Sequence, residues 1–183
     1  MSLHLIIGCM FSGKSTELIR RVRRLKAIGR RVIVLNHIID DRYGESDICS
    51  THYGDGISAI KISKLKNFLI RYESWQSLGV DVVCIDEAQF FGDLYDGVFQ
   101  LVEKYKLYVI VAGLSGDYKR DNFGEMYRLF PLADTIVKLD AYCGVCNDGT
   151  IAPFTKKLDS GDKQVDVGSS EKYIAVCRKC FKS

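Results

Sequence analysis

"GCMFSGKST", residues 8–16, stands between the apolar run "LHLIIG" (3–8) and the basic run "ELIRRVRRLK" (17–26). A strand that passes through a glycine loop into a helix is the local order of a phosphate-binding loop. Gly8, Gly13, Lys14 and Ser15 fit the spacing G-x-x-x-x-G-K-[ST], in which consecutive backbone N–H groups at a helix N-terminus wrap a phosphate. Lys14 adds a point charge on the outer phosphates and Ser15 a hydroxyl ligand for magnesium. The loop alone does not say whether the phosphoryl group goes to water or to an alcohol.

Working outward, strand-like apolar runs recur at 3–8, 30–36, 80–87, 107–114 and 134–140. Most are continuous rather than alternating, the pattern of strands buried on both faces of a parallel sheet. Helix-like segments lie between them at 16–28, 63–75 and 93–105. The expected fold class is α/β, a P-loop NTPase-like parallel sheet with helices on both faces and a ligand crevice at the carboxyl ends of its strands. The stretch "DDRYGESDICSTHYGDG" (40–56) has turn chemistry and reads as a loop at that edge. The character changes after Asp140, so residues 1–140 read as the nucleotide-binding domain and 141–183 as a small four-cysteine lobe.

A chain of 183 residues, 47% hydrophobic and 27% charged, is sized for one core with an appendage. It shows neither an export leader nor an apolar stretch of membrane-spanning length, so no membrane association is expected. Seven cysteines without an export signal point to reduced thiols and a cytoplasmic setting. A net charge of +3 is too small to imply nucleic-acid binding. The one basic run, Arg20 to Arg31, has Leu18, Ile19, Val22 and Leu25 at helical spacing, so its charges read as the solvated face of a helix.

"VVCIDEAQFF" (82–91) supplies the partner of the phosphate loop. An acidic residue at the end of an apolar strand is where P-loop proteins hold magnesium, and Asp86 takes that role. Glu87 follows and, by strand pleat, turns to the other side to meet the nucleophile. The pair occurs in motor ATPases and in kinases alike. Cys143 and Cys146 in "CGVC", with Cys177 and Cys180 in "CRKC", have the spacing of a four-thiolate zinc site, which is closed and therefore structural. Cys9, Cys49 and Cys84 fall outside any ligand spacing.

With "FSGKSTELIRRVRR", "DRYG", "IDEAQFF", "PLADTIVKL" and "KYIAVCRKC" in this order, the chain resembles the type II, zinc-containing thymidine kinases. That resemblance implies ATP on Gly8, Cys9, Met10, Phe11, Ser12, Gly13, Lys14, Ser15 and Thr16, with Asp40, Asp41, Arg42, Asp86, Glu87, Ala88 and Gln89 completing the phosphate and magnesium surroundings. It makes Glu87 the general base that takes the proton of the thymidine 5′-hydroxyl. The loop between the cysteine pairs is similar to the family's lasso, with Val165, Asp166, Val167, Gly168 and Tyr173 on the nucleoside and Met10, Phe90, Leu114, Tyr118, Phe123 and Thr155 around the base. It further implies thymidine and ATP as substrates, structural Zn²⁺, Mg²⁺ with ATP, feedback inhibition by thymidine triphosphate, and a homotetramer. Departures are Ser115 where many members carry aspartate, Tyr118 for phenylalanine, and Cys9 for proline. The residues themselves leave two other readings, a DNA-dependent P-loop motor ATPase and a zinc-ribbon nucleic-acid adaptor. The phosphate loop is expected at the other end of the sheet from the zinc lobe, so damage to the lobe should spare ATP binding.

Overall fold

Continuous apolar runs become strands with two buried faces, because successive side chains point to opposite sides. In β1 (Ser2–Gly8), Leu3, Leu5 and Ile7 enter one core and Ile6 the other. The same alternation separates Val83 and Ile85 from Val82 and Cys84 in β6 (Val82–Ile85). In β7 (Tyr108–Leu114) it separates Val109 and Val111 from Ile110 and Ala112. The structure, a computed structural model, describes residues 1–39, 48–50, 56–76, 79–158, 164 and 170–182. Asp40, Asp41, Arg42, Val165, Asp166, Val167 and Gly168 lie outside the described residues.

These three strands join β2 (Val32–His37), β5 (Ile60–Ile62) and β8 (Thr135–Leu139) in one parallel six-stranded sheet of order β5-β2-β6-β7-β1-β8. On one face α1 (Lys14–Ala27) packs Leu18 and Val22. On the other, α2 (Leu65–Gln76) and α3 (Leu94–Phe99) pack Leu65, Phe68, Leu94 and Val98. Each such side chain, fully buried, contributes roughly 1.5–3 kcal/mol. Arg20, Arg23, Arg24 and Lys26 lie exposed on the outer side of α1, and Glu17 pairs with Arg20 at 2.6 Å and Arg21 at 2.7 Å. The basic run is thus the solvated face of a helix, as its periodicity indicates. Among the described residues no helix is long and apolar enough to cross a membrane.

Three elements differ from the sequence reading. Within 40–56 and just past its end, β3 (Ile48–Ser50) pairs antiparallel with β4 (Gly56–Ser58), strands too short for alternation to stand out against turn residues. The helix expected over 93–105 is α3 followed by a wider π turn at Gln100–Lys104, which carries the consecutive Leu101 and Val102 into the core. The polar stretch between the cysteine pairs is strand at both ends. β9 (Ala141–Tyr142), just before the first pair, pairs with β10 (Ile151–Ala152), and β11 (Phe154–Lys157) with β12 (Tyr173–Val176), ahead of the short helix α4 (Arg178–Lys182). Small side chains and sulfur fill this part: Ala141, Cys143, Ala152, Ala175, Val176, Cys177 and Cys180 pack together, and Cys9 of the phosphate loop joins them.

Candidate active site

The phosphate loop closes because β1 ends on a residue that must be glycine. A Cβ on Gly8 would lie 2.4 Å from the Leu139 carbonyl oxygen and 2.5 Å from Ser12 Oγ. Gly13 sits at φ 82, a left-handed conformation open to glycine, and its carbonyl accepts the Glu17 N–H at 2.9 Å to start α1. Phe11 also takes a positive φ of 65, which costs a non-glycine residue about 1–3 kcal/mol and is the kind of strain found where a loop must present its amides inward. Within the loop Ser12 Oγ donates to the Cys9 carbonyl at 2.9 Å and Lys14 Nζ to the same oxygen at 2.7 Å. Lys14 is buried, so its ammonium is confined to the loop rather than swinging in solvent.

Across the sheet, β6 delivers the carboxylates. β7 lies between β1 and β6, so their ends are roughly 10 Å apart at the usual strand spacing, room for a phosphate chain and a cation. Asp86 is buried, and its N–H donates to the Leu35 carbonyl at 2.9 Å. Glu87 does not diverge from it by pleat, as the sequence reading has it: β6 stops at Ile85, and Glu87 turns into the left-handed region at φ 49, ahead of a 3₁₀ turn at Ala88–Phe90. Its carboxylate accepts from Gln89 Nε2 at 2.5 Å.

The residues expected around the base gather at the same carboxyl edge of the sheet. Phe90 meets Phe123 edge to face at 5.7 Å, Leu114 ends β7, and the Met10 N–H donates to Thr155 Oγ1 at 2.9 Å. Tyr118 is flanked by Lys119 and by Lys157, whose Nζ atoms lie 5.5 and 5.4 Å from its ring centre. Tyr173 is buried on β12, opposite Lys157. Ser15 is half-buried one residue into α1, while Thr16 is exposed.

The four cysteine sulfurs of Cys143, Cys146, Cys177 and Cys180 all lie within 4.8 Å of one another. Cys146 Sγ is 3.9 Å from Cys177 Sγ and 3.5 Å from Cys180 Sγ. Those separations fit tetrahedral zinc, whose bonds of about 2.3 Å place sulfurs about 3.8 Å apart. Backbone N–H donors, first that of Cys146 and then that of Cys177, hold the Cys143 thiol down at about 6, which favours a thiolate ligand. The Cys180 and Cys143 sulfurs push Cys146 up, the crowding of thiols that a dication relieves. Gly144 in the first knuckle packs against β12: a Cβ there would lie 2.8 Å from Ile174 Cδ1.

Sequence reasoning missed how closely this lobe abuts the phosphate loop. Cys9 Sγ donates to the Ala152 carbonyl at 3.1 Å, Thr155 holds Met10, and β8 leads from its pairing with β1 directly into β9. The two are neighbours, not opposite ends of the sheet. A hint lay in the family resemblance, which puts Met10 of the loop and Thr155 of the lobe around the same base.

The fold and its strand-end chemistry define a class, that of P-loop nucleotide-binding proteins with a cysteine-built lobe set against the phosphate loop. Comparison narrows the class. The family model described as thymidine kinase matches residues 1–181. A thymidine kinase of Fowlpox virus is 40% identical over 180 residues, covering 98% of this chain and 96% of that one. Thymidine kinase a of Arabidopsis thaliana is 39% identical over 98% of this chain and 74% of its own, and a thymidine kinase of Porphyromonas gingivalis is 38% identical over 99% and 85%. The chain belongs to the thymidine kinase family. Nothing in the fold or the comparisons favours the motor ATPase or the nucleic-acid adaptor.

Proposed function

We propose that this chain transfers the γ-phosphoryl group of ATP to the 5′-hydroxyl of thymidine, giving thymidine monophosphate in deoxynucleoside salvage. The observation that carries the reading is the convergence of the phosphate loop, the Asp86–Glu87 strand end and the Met10–Thr155 contact at one edge of the sheet, in a chain of this family. Backbone amides of 8–16 and Lys14 bind the phosphates, with Asp40, Asp41, Arg42, Ala88 and Gln89 completing their surroundings. Ser15 and Asp86 are the residues that would hold Mg²⁺, which would supply charge neutralisation on the phosphates during transfer.

Glu87 takes the proton of the 5′-hydroxyl as its oxygen attacks the γ-phosphorus, and ADP leaves on the opposite side. Met10, Phe90, Leu114, Tyr118, Phe123, Thr155 and Tyr173 enclose the nucleoside, and Val165, Asp166, Val167 and Gly168 reach it from the lasso. Shielding from water makes an alcohol the acceptor, since an open site would lose the phosphoryl group to solvent. Residues 1–140 act as the nucleotide-binding domain and 141–183 as the zinc lobe. Assembly as a cytoplasmic homotetramer, inhibited by thymidine triphosphate, completes the reading; the sheet edge β8, with Ile136 exposed, is compatible with assembly.

The test measures nucleoside phosphorylation beside DNA-stimulated ATP hydrolysis on one preparation. Thymidine-dependent ADP formation with no DNA stimulation is expected. Glu87→Gln should lower kcat by about 10²–10⁴-fold with ATP affinity little changed. Near-normal turnover in that variant would remove Glu87 from the mechanism.

A further inference from the structure

Gln89 carries an amide with both donors and acceptors, yet it is only 3% exposed. Its Oε1 accepts the Leu114 N–H at 3.0 Å, and its Nε2 donates to Glu87 Oε2 at 2.5 Å. The direction of the amide follows from chemistry, because a backbone N–H can only donate. The amide oxygen therefore faces Leu114 and the NH₂ group faces the carboxylate.

The surroundings hold Gln89 in this pose. A Cβ on Gly124 would lie 2.2 Å from its main-chain carbonyl oxygen, and one on Gly113 would lie 3.1 Å from Oε1. Both halves of the residue are thus closely approached by glycines. Glu87, by contrast, stands on a left-handed backbone outside any strand, so β6 does not orient its side chain.

We propose that Gln89 is a positioning residue for phosphoryl transfer: it ties the Glu87 carboxylate to the end of β7 and fixes it where the nucleoside hydroxyl arrives. The proposal rests on the reading of Glu87 as the general base. Leu114 ends β7 and is held by the Gln89 side chain, and Gly124, next to Phe123, lies against the Gln89 main chain, so this one residue links Glu87 to the frame around the nucleobase. Its amide oxygen and one of its two amide N–H donors are engaged inside the protein. The contribution of Gln89 is therefore to the orientation of the base rather than to ATP contact through its side chain.

Two variants separate orientation from mere support. Gln89→Glu keeps the length and the acceptor for the Leu114 N–H but replaces the donor to Glu87, while Gln89→Leu removes both. Each should lower kcat by about 10–10²-fold, the scale of a misplaced catalytic group, with KM for thymidine and for ATP held within about 3-fold. In the Glu87→Gln background, Gln89→Leu should cost less than about 2-fold more, because residues that act as a unit are not additive. Residual turnover is followed with radiolabelled thymidine and folding by thermal melting.

An equal loss in both backgrounds would overturn the proposal and make Gln89 a support of the fold. Normal kcat in Gln89→Glu beside an impaired Glu87→Gln would overturn it while leaving the base assignment standing. Near-normal turnover in Glu87→Gln alone would defeat the base assignment and this inference together, a pattern distinct from the other two.

Discussion

Lys14 shows how one residue ties loop shape to chemistry. Its ammonium is buried and directed onto the Cys9 carbonyl, inside the curve of the loop. A phosphate in that curve receives the charge with little rearrangement, so the lysine binds ATP in the ground state and holds the phosphates more tightly still as charge develops on them during transfer. Lys14→Ala should weaken ATP binding and lower kcat together, with kcat/KM for ATP reduced about 10²–10³-fold. Nucleotide titration and steady-state kinetics on the same variant check it, and unaltered affinity would count against the phosphate-loop assignment. Gly8, Gly13, Lys14 and the four lobe cysteines were legible because their meaning lies in spacing along the chain. Thr155 as a brace on Met10 was not, since its partner is 145 residues away and a hydroxyl gives no sign of which N–H it will accept. Glu87 was legible by type, but not in its left-handed backbone, because the end of β6 at Ile85 is set by pairing with β2 and β7.

At the level of elements, what brings the strand ends together is close backbone approach. The turn that carries Phe123 passes the 3₁₀ turn of Ala88–Phe90 at Gly124, which combines a φ of 58 with no room for a side chain. Gly124→Ala should therefore lower stability by about 1–3 kcal/mol and reduce kcat as well, because the displaced carbonyl belongs to Gln89. Gly149→Ala is the control: its φ of 88 carries the same backbone strain, but an added Cβ meets nothing within 4 Å. Denaturant unfolding with kinetics on both variants gives the answer. Equal effects on kcat would show that strain alone, not contact with Gln89, is responsible. The long elements were readable from sequence because several continuous apolar residues fix both faces of a strand. The hairpin β3–β4 and the strand pairs β9–β10 and β11–β12 were not. Their strands run two to four residues, and inward positions such as Thr155 and Lys157 are polar, so neither length nor alternation marks them.

Over the whole molecule, the contact between lobe and phosphate loop changes what loss of zinc should do. If the lobe stood apart from the loop, Cys177→Ser would raise KM for thymidine and leave ATP untouched. Instead the lobe holds the loop directly, through Thr155 on the Met10 N–H and the Ala152 carbonyl on Cys9 Sγ. Both contacts come from β10 and β11, and β11 is kept in register by β12, which runs straight into Cys177. Burial pushes the Cys9 thiol above its ordinary range, so it acts here as a small packing group within the cysteine lobe rather than as a reactive one. The fully buried part of the lobe is mostly alanine and cysteine, with Phe154, Ile174 and Phe181 only partly buried around it, so the lobe should depend on its metal for shape, as small metal-bound units commonly do. Cys177→Ser, or removal of zinc by a chelator, should then raise KM for thymidine and weaken ATP binding too, each by about 10-fold or more. Metal content, thymidine kinetics, ATP affinity and thermal melting are measured on one folded preparation. A folded, zinc-depleted protein whose ATP affinity is unchanged would show that the phosphate loop keeps its shape without the lobe, and that Thr155 and Ala152 only rest against it.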